Sequence, residues 1–365
     1  MTKKSKYTIL IICEGENTEP LFFTSIIDAI ALGIYDIGDV GIHIRPEIID
    51  NEDNIVDQPR HKPIRKKRQT RNVIEDSDLV EGCIPLPLKW VIEGQKELKD
   101  GTYNEVWTVF DHDNHPARKE AFDAAEEEIS GKRVQIAFSS ISFELYLILH
   151  FVRFYKEFQT SECRDKHNSV KSKRKKIINC GTDAHPNDCH GDICIGGYAR
   201  KNKFWTNTKK EESTFNLVKD KIEIGFENSA WLRYLSDQKE SADKKIYDRN
   251  PYVTTDYLVK RLTNNIHKEW KWVSINEDFH INGSLVTISS GRKIIITNNS
   301  QSTILIEKKS ICKVLSNNKR EYFGSRTIIN PNSIHEFDIS KHISNRGNEW
   351  FIFHFNENYL MFEFC

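Results

Sequence analysis

Apolar positions fall into two regimes along this chain. Up to about residue 273, short apolar runs alternate with segments of helical spacing; beyond it, short β-rich runs alternate with Asn, Gly and Ser turns. Tyr7-Thr8-Ile9-Leu10-Ile11-Ile12 predicts a buried strand, and Leu21 to Ile34 predicts a helix. Val40 to Pro46 alternates as a strand does, while Leu86 to Leu98 can bury Leu88, Val91, Ile92 and Leu98 along one helical side. Residues 105–111 form a second apolar run. Pro116 to Ile129 predicts a helix, with proline near the first turn and Gly131 just past the end. Val134 to Phe138 predicts a strand and Phe143 to Tyr155 a strongly apolar helix. This alternation predicts an α/β class with a mostly parallel, doubly wound sheet.

Two stretches interrupt the pattern, at about 51–84 and 156–210, and are read as insertions. Helical spacing returns at about 212–240 and 254–270, with Asn250-Pro251 marking a turn before the last helix. From 274 onward the runs Ser284 to Ile288, Lys293 to Ile296, Ile304 to Ile306, Trp350 to Phe355 and Tyr359 to Phe364 predict a small antiparallel β domain, a sandwich or meander. The expected organisation is residues 1–273 as an α/β domain carrying both insertions, and 274–365 as a β domain suited to docking or homo-oligomerisation.

Composition adds limits. The 365 residues are 38% hydrophobic and 29% charged with formal net charge zero, as expected of a soluble protein. The charge is uneven. Arg60 to Arg71, including Arg65, Lys66, Lys67 and Arg68, is basic, and so is Lys171 to Lys176, including Lys173, Arg174 and Lys175. Such runs can track a phosphate backbone despite overall neutrality, although most basic runs are only solvated. No secretory leader and no apolar run of membrane-spanning length is seen, so a cytoplasmic protein without a membrane partner is expected. Eight cysteines without a regular pairing pattern fit a reducing compartment. There is no Walker A sequence, no dinucleotide-binding glycine fingerprint and no nucleophile elbow.

Candidate chemistry sits at the ends of the two strongest strands. The first apolar run leads into Cys13-Glu14-Gly15-Glu16-Asn17-Thr18-Glu19, and the second into Asp111-His112-Asp113. Carboxylates crowded at strand ends repel one another unless a cation offsets their charge. Glu14, Asp111 and Asp113 supply the hard oxygen ligands that Mg²⁺ or Mn²⁺ takes in phosphodiester chemistry. Each pair alone reads more simply as a turn; their occurrence in order after two buried strands favours the metal site.

Ile11-Ile12-Cys13-Glu14-Gly15 and Val109-Phe110-Asp111-His112-Asp113 resemble the Glu-Gly and Asp-x-Asp motifs of the Toprim domain. Cys13 to Phe23 resembles the opening motif of RloB-like proteins, a Toprim branch near the OLD and AbiL systems. Phe138 to Phe151 resembles the Ser-Asn-Pro-x-Phe-Glu segment of that family, with Ser140-Ile141 in place of Asn-Pro and Tyr146 in place of Trp. Asn250 to Thr255 resembles its Asn-Pro-x-Thr segment. The resemblance covers roughly residues 5–270. It implies a metal-dependent nuclease acting on RNA, tRNA included, or on DNA. It further implies an anti-phage effector controlled by an ABC-type ATPase partner. Glu14 would be a metal ligand or general acid/base, Asp111 and Asp113 would hold Mg²⁺ or Mn²⁺, and Glu19 would hold a second ion. Glu144 would either join that set or serve as a helix-start carboxylate. Ser139 and Ser142 are expected to cap the same helix, with contact to phosphate as the alternative. The reading from a different class is a non-catalytic Toprim-fold module that senses nucleic acid or a phage protein.

Outside that resemblance, Cys163, His167, Cys180, His185, Cys189, His190 and Cys194 fall in one glycine-containing stretch. Cys163, Cys180, Cys189 and Cys194 would suit a structural Zn²⁺, although the spacing is irregular and has no Cys-x₂-Cys pair. Ordinary thiols in a variable loop are the alternative. Tyr198, Phe204 and Trp205, near Lys201 and Lys203, would either pack within the fold or stack on bases.

Overall fold

A computed structural model describes residues 7–15, 17–46, 84–112, 116–163, 180, 189, 191–205, 214–315, 318–343, 349–355 and 357–364. The chain divides into two compact units, Met1–Phe138 with Asn207–Leu217, and Ser139–Thr206 with Val218–Cys365.

The first unit is built on β1 (Tyr7–Cys13), α1 (Thr18–Ala31), β2 (Val40–Arg45), α2 (Leu88–Lys99), β3 (Glu105–Asp111), α3 (Arg118–Ala125) and β4 (Gln135–Ser140). Its strands lie in the order β2-β1-β3-β4, with β1 parallel to both neighbours. A strand covered on both faces needs a continuous apolar run, and Ile9, Leu10, Ile11 and Ile12 are all buried. Phe22, Phe23 and Ile26 of α1 are buried as well. Phe110 of β3 packs edge-on against Phe122 and Phe138 with centroid separations of 5.9 Å, and stacks on Trp90 of α2 at 6.5 Å. Gly94 lets α2 approach β3 closely, because a Cβ there would lie 2.9 Å from Val106. This packing holds the ends of β1 and β3 in fixed register.

The second unit begins with the tail of β4 and contains α4 (Glu144–Leu149) and α5 (Ile195–Lys201). The short α6 (Phe215–Val218) leads into α7 (Ile222–Lys239), β5 (Tyr252–Val253) and α8 (Thr255–Leu262). Ser139 and Ser140 pair antiparallel with Val253 and Tyr252 of β5. The helix expected over Phe143 to Tyr155 stops at Leu149, where Asn228 of α7 donates a 2.6 Å hydrogen bond to the Leu149 carbonyl. That donor satisfies a helix-end acceptor through tertiary structure, which local spacing does not reveal. The expected helix over 254–270 ends at Leu262, and the chain then becomes a strand. Ser139 and Ser142 do not cap α4. Ser139 Oγ lies 2.9 Å from Thr255 Oγ1, and Ser142 Oγ donates to the Glu144 carboxylate at 2.6 Å. The Ser140–Ile141 peptide is cis, at the place where the resembling segment carries Asn-Pro.

Strands then follow as β6 (Glu269–Trp272), β7 (Asp278–Ile281), β8 (Ser284–Ser289), β9 (Lys293–Asn298), β10 (Ile304–Ile306), β11 (Ile311–Val314), β12 (Arg320–Phe323), β13 (Thr327–Ile329), β14 (Ser333–Asp338), β15 (Trp350–Phe355) and β16 (Asn358–Phe362). The larger sheet runs β12-β11-β15-β16-β6, a second runs β14-β9-β8-β7, and β10 pairs with β13. Val286, Ile288, Ile294 and Ile296 share one buried core with Ile311, Phe351, Phe353, Phe355 and Phe362. The region is therefore a sandwich, as alternation along β8 and β9 suggests. Among the described residues of 274–365 the strand pairings are antiparallel, and β6, just before that region, adds a parallel edge by pairing with β16.

Burial sets one measurable property of the second unit. His150 is fully buried, its Nδ1 lies 2.9 Å from the Tyr146 carbonyl, and a Cβ on Gly225 of α7 would lie 2.5 Å from its Nε2. Burial pushes the imidazole down to about 4, against opposing hydrogen bonds to the Tyr146 and Leu147 backbone and with a smaller contribution from the Lys221 charge. The folded chain thus keeps His150 neutral where the unfolded chain takes up a proton, below about pH 6.5. Stability is expected to fall as pH drops from about 6.5 to about 4. Thermal midpoints of wild type and His150→Asn across that range check this, the variant showing a shallower fall; equal slopes would contradict it.

Candidate active site

Two parallel neighbours bring their C-terminal ends to the same edge of a sheet. Cys13 of β1 stands opposite Val109 of β3, so Glu14 and Asp111 arrive together at that edge. The ladder extends one residue past β1, the Glu14 N–H donating to the Val109 carbonyl at 2.8 Å. The Glu14 side chain then turns across to β3, where its Oε2 accepts the Asp111 backbone N–H at 2.8 Å. A carboxylate accepting a backbone N–H makes a charge-assisted bond, which fixes its position. Both acids are partly exposed, open to an ion or substrate.

Gly15 and Glu19 complete this edge. Glu19 lies in the first turn of α1, where the helix dipole favours a carboxylate, and it is buried. Its carboxylate covers Gly15 so closely that a Cβ on that residue would lie 2.2 Å from Glu19 Oε2. The Glu-Gly pair is thus explained by space: any side chain at Gly15 would displace Glu19. Burial, and secondarily the Glu19 charge, pushes the Cys13 thiol well above its ordinary value. Cys13 is a packed, buried thiol at the end of β1.

Arg118, which sequence reasoning passed over, belongs to the same edge. It opens α3 and donates from Nη1 to the His112 carbonyl at 3.1 Å, placing a permanent cation beside the Asp111-His112 tip. An arginine shortly after an Asp-x-Asp motif, at the start of a predicted helix, was the available signal.

Glu144 opens α4 in the second unit and accepts the Ser142 hydroxyl. Asp113 lies outside the described residues, as do Arg65, Lys66, Lys67, Arg68, Lys173, Arg174 and Lys175, and with them His167, His185 and His190. Tyr198 stacks on Phe154 at 5.2 Å and Phe204 on Phe151 at 5.3 Å, with Trp205 6.5 Å from Phe151, so these rings pack on their own chain. The groove lined by Asn104, Glu105, Trp107 and Arg133 lies at the other end of β3 from the carboxylates.

Among the described residues, the group with three or more metal-ligating atoms all within 4.8 Å of one another is Cys163, Cys180, Cys189 and Cys194. Glu14, Glu19 and Asp111 do not form a closed cage of that kind. Their chemistry still suits Mg²⁺ or Mn²⁺, because Mg²⁺ keeps several waters and is bound through one or two carboxylates plus substrate phosphates.

Comparison with protein families matches the chain to the RloB-like protein family over residues 9–262. Neither a comparison with curated proteins nor one with solved structures returns a match. Among the described residues no helix is long and apolar enough to cross a membrane.

Proposed function

The chain belongs to the RloB-like protein family, and from that premise we propose that it is a divalent-metal-dependent nuclease of the Toprim type. The observation that carries this reading is the joining of Glu14 to the Asp111 backbone at the shared C-terminal edge of β1 and β3. In this reading the Asp111 N–H holds the Glu14 carboxylate in place for proton transfer. Asp111, with Asp113 next in the motif and Glu19 behind Gly15, would hold Mg²⁺ or Mn²⁺. When bound, such ions neutralise charge on the attacking and leaving oxygens at phosphorus. Arg118 adds a fixed positive charge for a phosphate group beside the same edge. The substrate is RNA, structured RNA such as tRNA included, or DNA, with the basic runs at 60–71 and 171–176 tracking its backbone.

The biological reading follows from the family resemblance: a cytosolic anti-phage effector held in check by an ABC-type ATPase partner. The test is incubation of the purified chain with RNA and DNA in Mg²⁺ or Mn²⁺, with and without EDTA and with a co-expressed ATPase partner. Metal-dependent chain cleavage is expected. Binding of nucleic acid without cleavage under every condition would favour the non-catalytic sensing module.

A further inference from the structure

Four cysteines far apart in sequence converge in the second unit. Sγ of Cys163 lies 2.9 Å from Cys189 and 3.3 Å from Cys180, Cys189 lies 3.3 Å from Cys194, and Cys180 lies 3.6 Å from both Cys189 and Cys194. None of these is a disulfide, which requires about 2.05 Å. Three of the four are buried. Weakly polar thiols have no reason to gather four at a time at such distances. A tetrahedron of thiolates around one Zn²⁺, with Zn–S near 2.3 Å, has edges of about 3.8 Å. The observed Sγ separations, 2.9 to 3.6 Å, are on the scale of such a tetrahedron. The enclosed space takes one ion and is too small for a multi-iron cluster.

We propose that Cys163, Cys180, Cys189 and Cys194 bind one structural Zn²⁺ as a tetrathiolate. The surrounding backbone is shaped for it. Cys189 enters a tight turn, its carbonyl accepting the Asp192 N–H at 2.8 Å. Gly191 follows with φ of +80°, and a Cβ there would lie 2.4 Å from the Tyr198 backbone nitrogen. Cys194 precedes α5, whose first residues are tied to the segment before Cys163, Ile195 N–H donating to the Thr160 carbonyl and Gly196 N–H to the Ser161 carbonyl. Gly197 faces the sulfurs, because a Cβ would lie 2.7 Å from Cys194 Sγ and 3.0 Å from Cys180 Sγ. Cys180 is further held by Arg200, whose Nε donates to its carbonyl at 2.6 Å while the guanidinium pairs with buried Glu162.

The site has a structural task. Between the end of α4 at Leu149 and the start of α5 at Ile195, the described residues contain no helix and no strand beyond one isolated bridge. A metal supplies the fixed points that a core or a ladder would otherwise supply. It also fastens both ends of the sequence between Cys163 and Cys180, which carries the basic run Lys171 to Lys176. The proposal stands whether or not the acidic edge is catalytic.

Elemental analysis of the full chain, purified from zinc-supplemented culture without chelator or metal-affinity resin, tests it directly. About one zinc per chain is expected, released by a mercurial thiol reagent and detected with a zinc-sensitive dye. Cys180→Ser and Cys194→Ser should lose the zinc, while Cys312→Ser, at a buried cysteine of β11 outside the cluster, should keep it. Zinc near zero in the wild-type chain, iron in its place, or full zinc retention by both cluster variants would overturn the assignment. Should the cluster variants be insoluble, chelation of the wild-type chain serves instead. Protease cleavage within residues 156–205 is then expected to accelerate, and an unchanged digest after zinc removal would count against the site.

Discussion

Glu14→Gln is expected to lower metal-dependent cleavage of RNA or DNA by at least about 10²-fold, with little change in thermal midpoint. The amide keeps the length of the side chain and an oxygen that can accept the Asp111 N–H, so the edge between β1 and β3 stays built. What it loses is the negative charge and the capacity to take a proton. Asp111→Asn removes charge at the same edge and is expected to act alike, because the Asp111 contact to Glu14 uses its backbone N–H, not its side chain. Cleavage that survives both changes, in chains shown to be folded, would dismiss this edge as the reaction centre.

The largest expected effect on stability lies in the second unit. Asp256, in the first turn of α8, is fully buried and accepts hydrogen bonds from Arg233 and an ion pair from Lys260 at 3.2 Å. Arg233 also donates to the Val253 carbonyl of β5 at 2.8 Å. Burial opposes ionisation, yet the Arg233 and Lys260 charges hold the Asp256 carboxyl below its ordinary range. Asp256→Ala would strand two buried cations, at a cost of about 3–5 kcal/mol. For a unit of this size that corresponds to a fall in thermal midpoint of roughly 6–20 °C. Replacing Arg233 and Asp256 together by apolar residues should recover part of the loss, since the double change leaves fewer uncompensated charges. Calorimetry on the single and double variants decides it; a midpoint unmoved by Asp256→Ala would show that the triad contributes nothing.

That triad also shows where sequence reading reaches its limit. Asn250 to Thr255 stands out as a family-like segment, and the structure gives its neighbourhood a scaffolding role. Tyr252 and Val253 pair with the tail of β4, and Thr255 bonds Ser139. None of those partners is near in sequence. β1 and β3 were legible because strands buried on both faces need unbroken apolar runs, and the run at 105–111 coincides with β3. The length of α4 was not, because an apolar run without periodicity gives no stop signal, and the acceptor freed at its end is met by Asn228, far away in sequence. Glu14 and Asp111 could be read from their place after those runs. The reason for Gly15 could not, since it depends on where the Glu19 carboxylate comes to rest. Arg118 escaped because its one signal, a place at a helix start shortly after Asp-x-Asp, does not set it apart from its neighbour Lys119.

The claim that Glu14 and Asp111 form a divalent-metal centre is tested most directly by Mn²⁺ titration of the zinc-saturated full chain, followed by electron paramagnetic resonance. The account predicts saturable Mn²⁺ uptake by the wild-type chain, sharply weakened in both Glu14→Gln and Asp111→Asn. Uptake that is the same in all three chains, or absent from the wild-type chain with nucleic acid present, would contradict it.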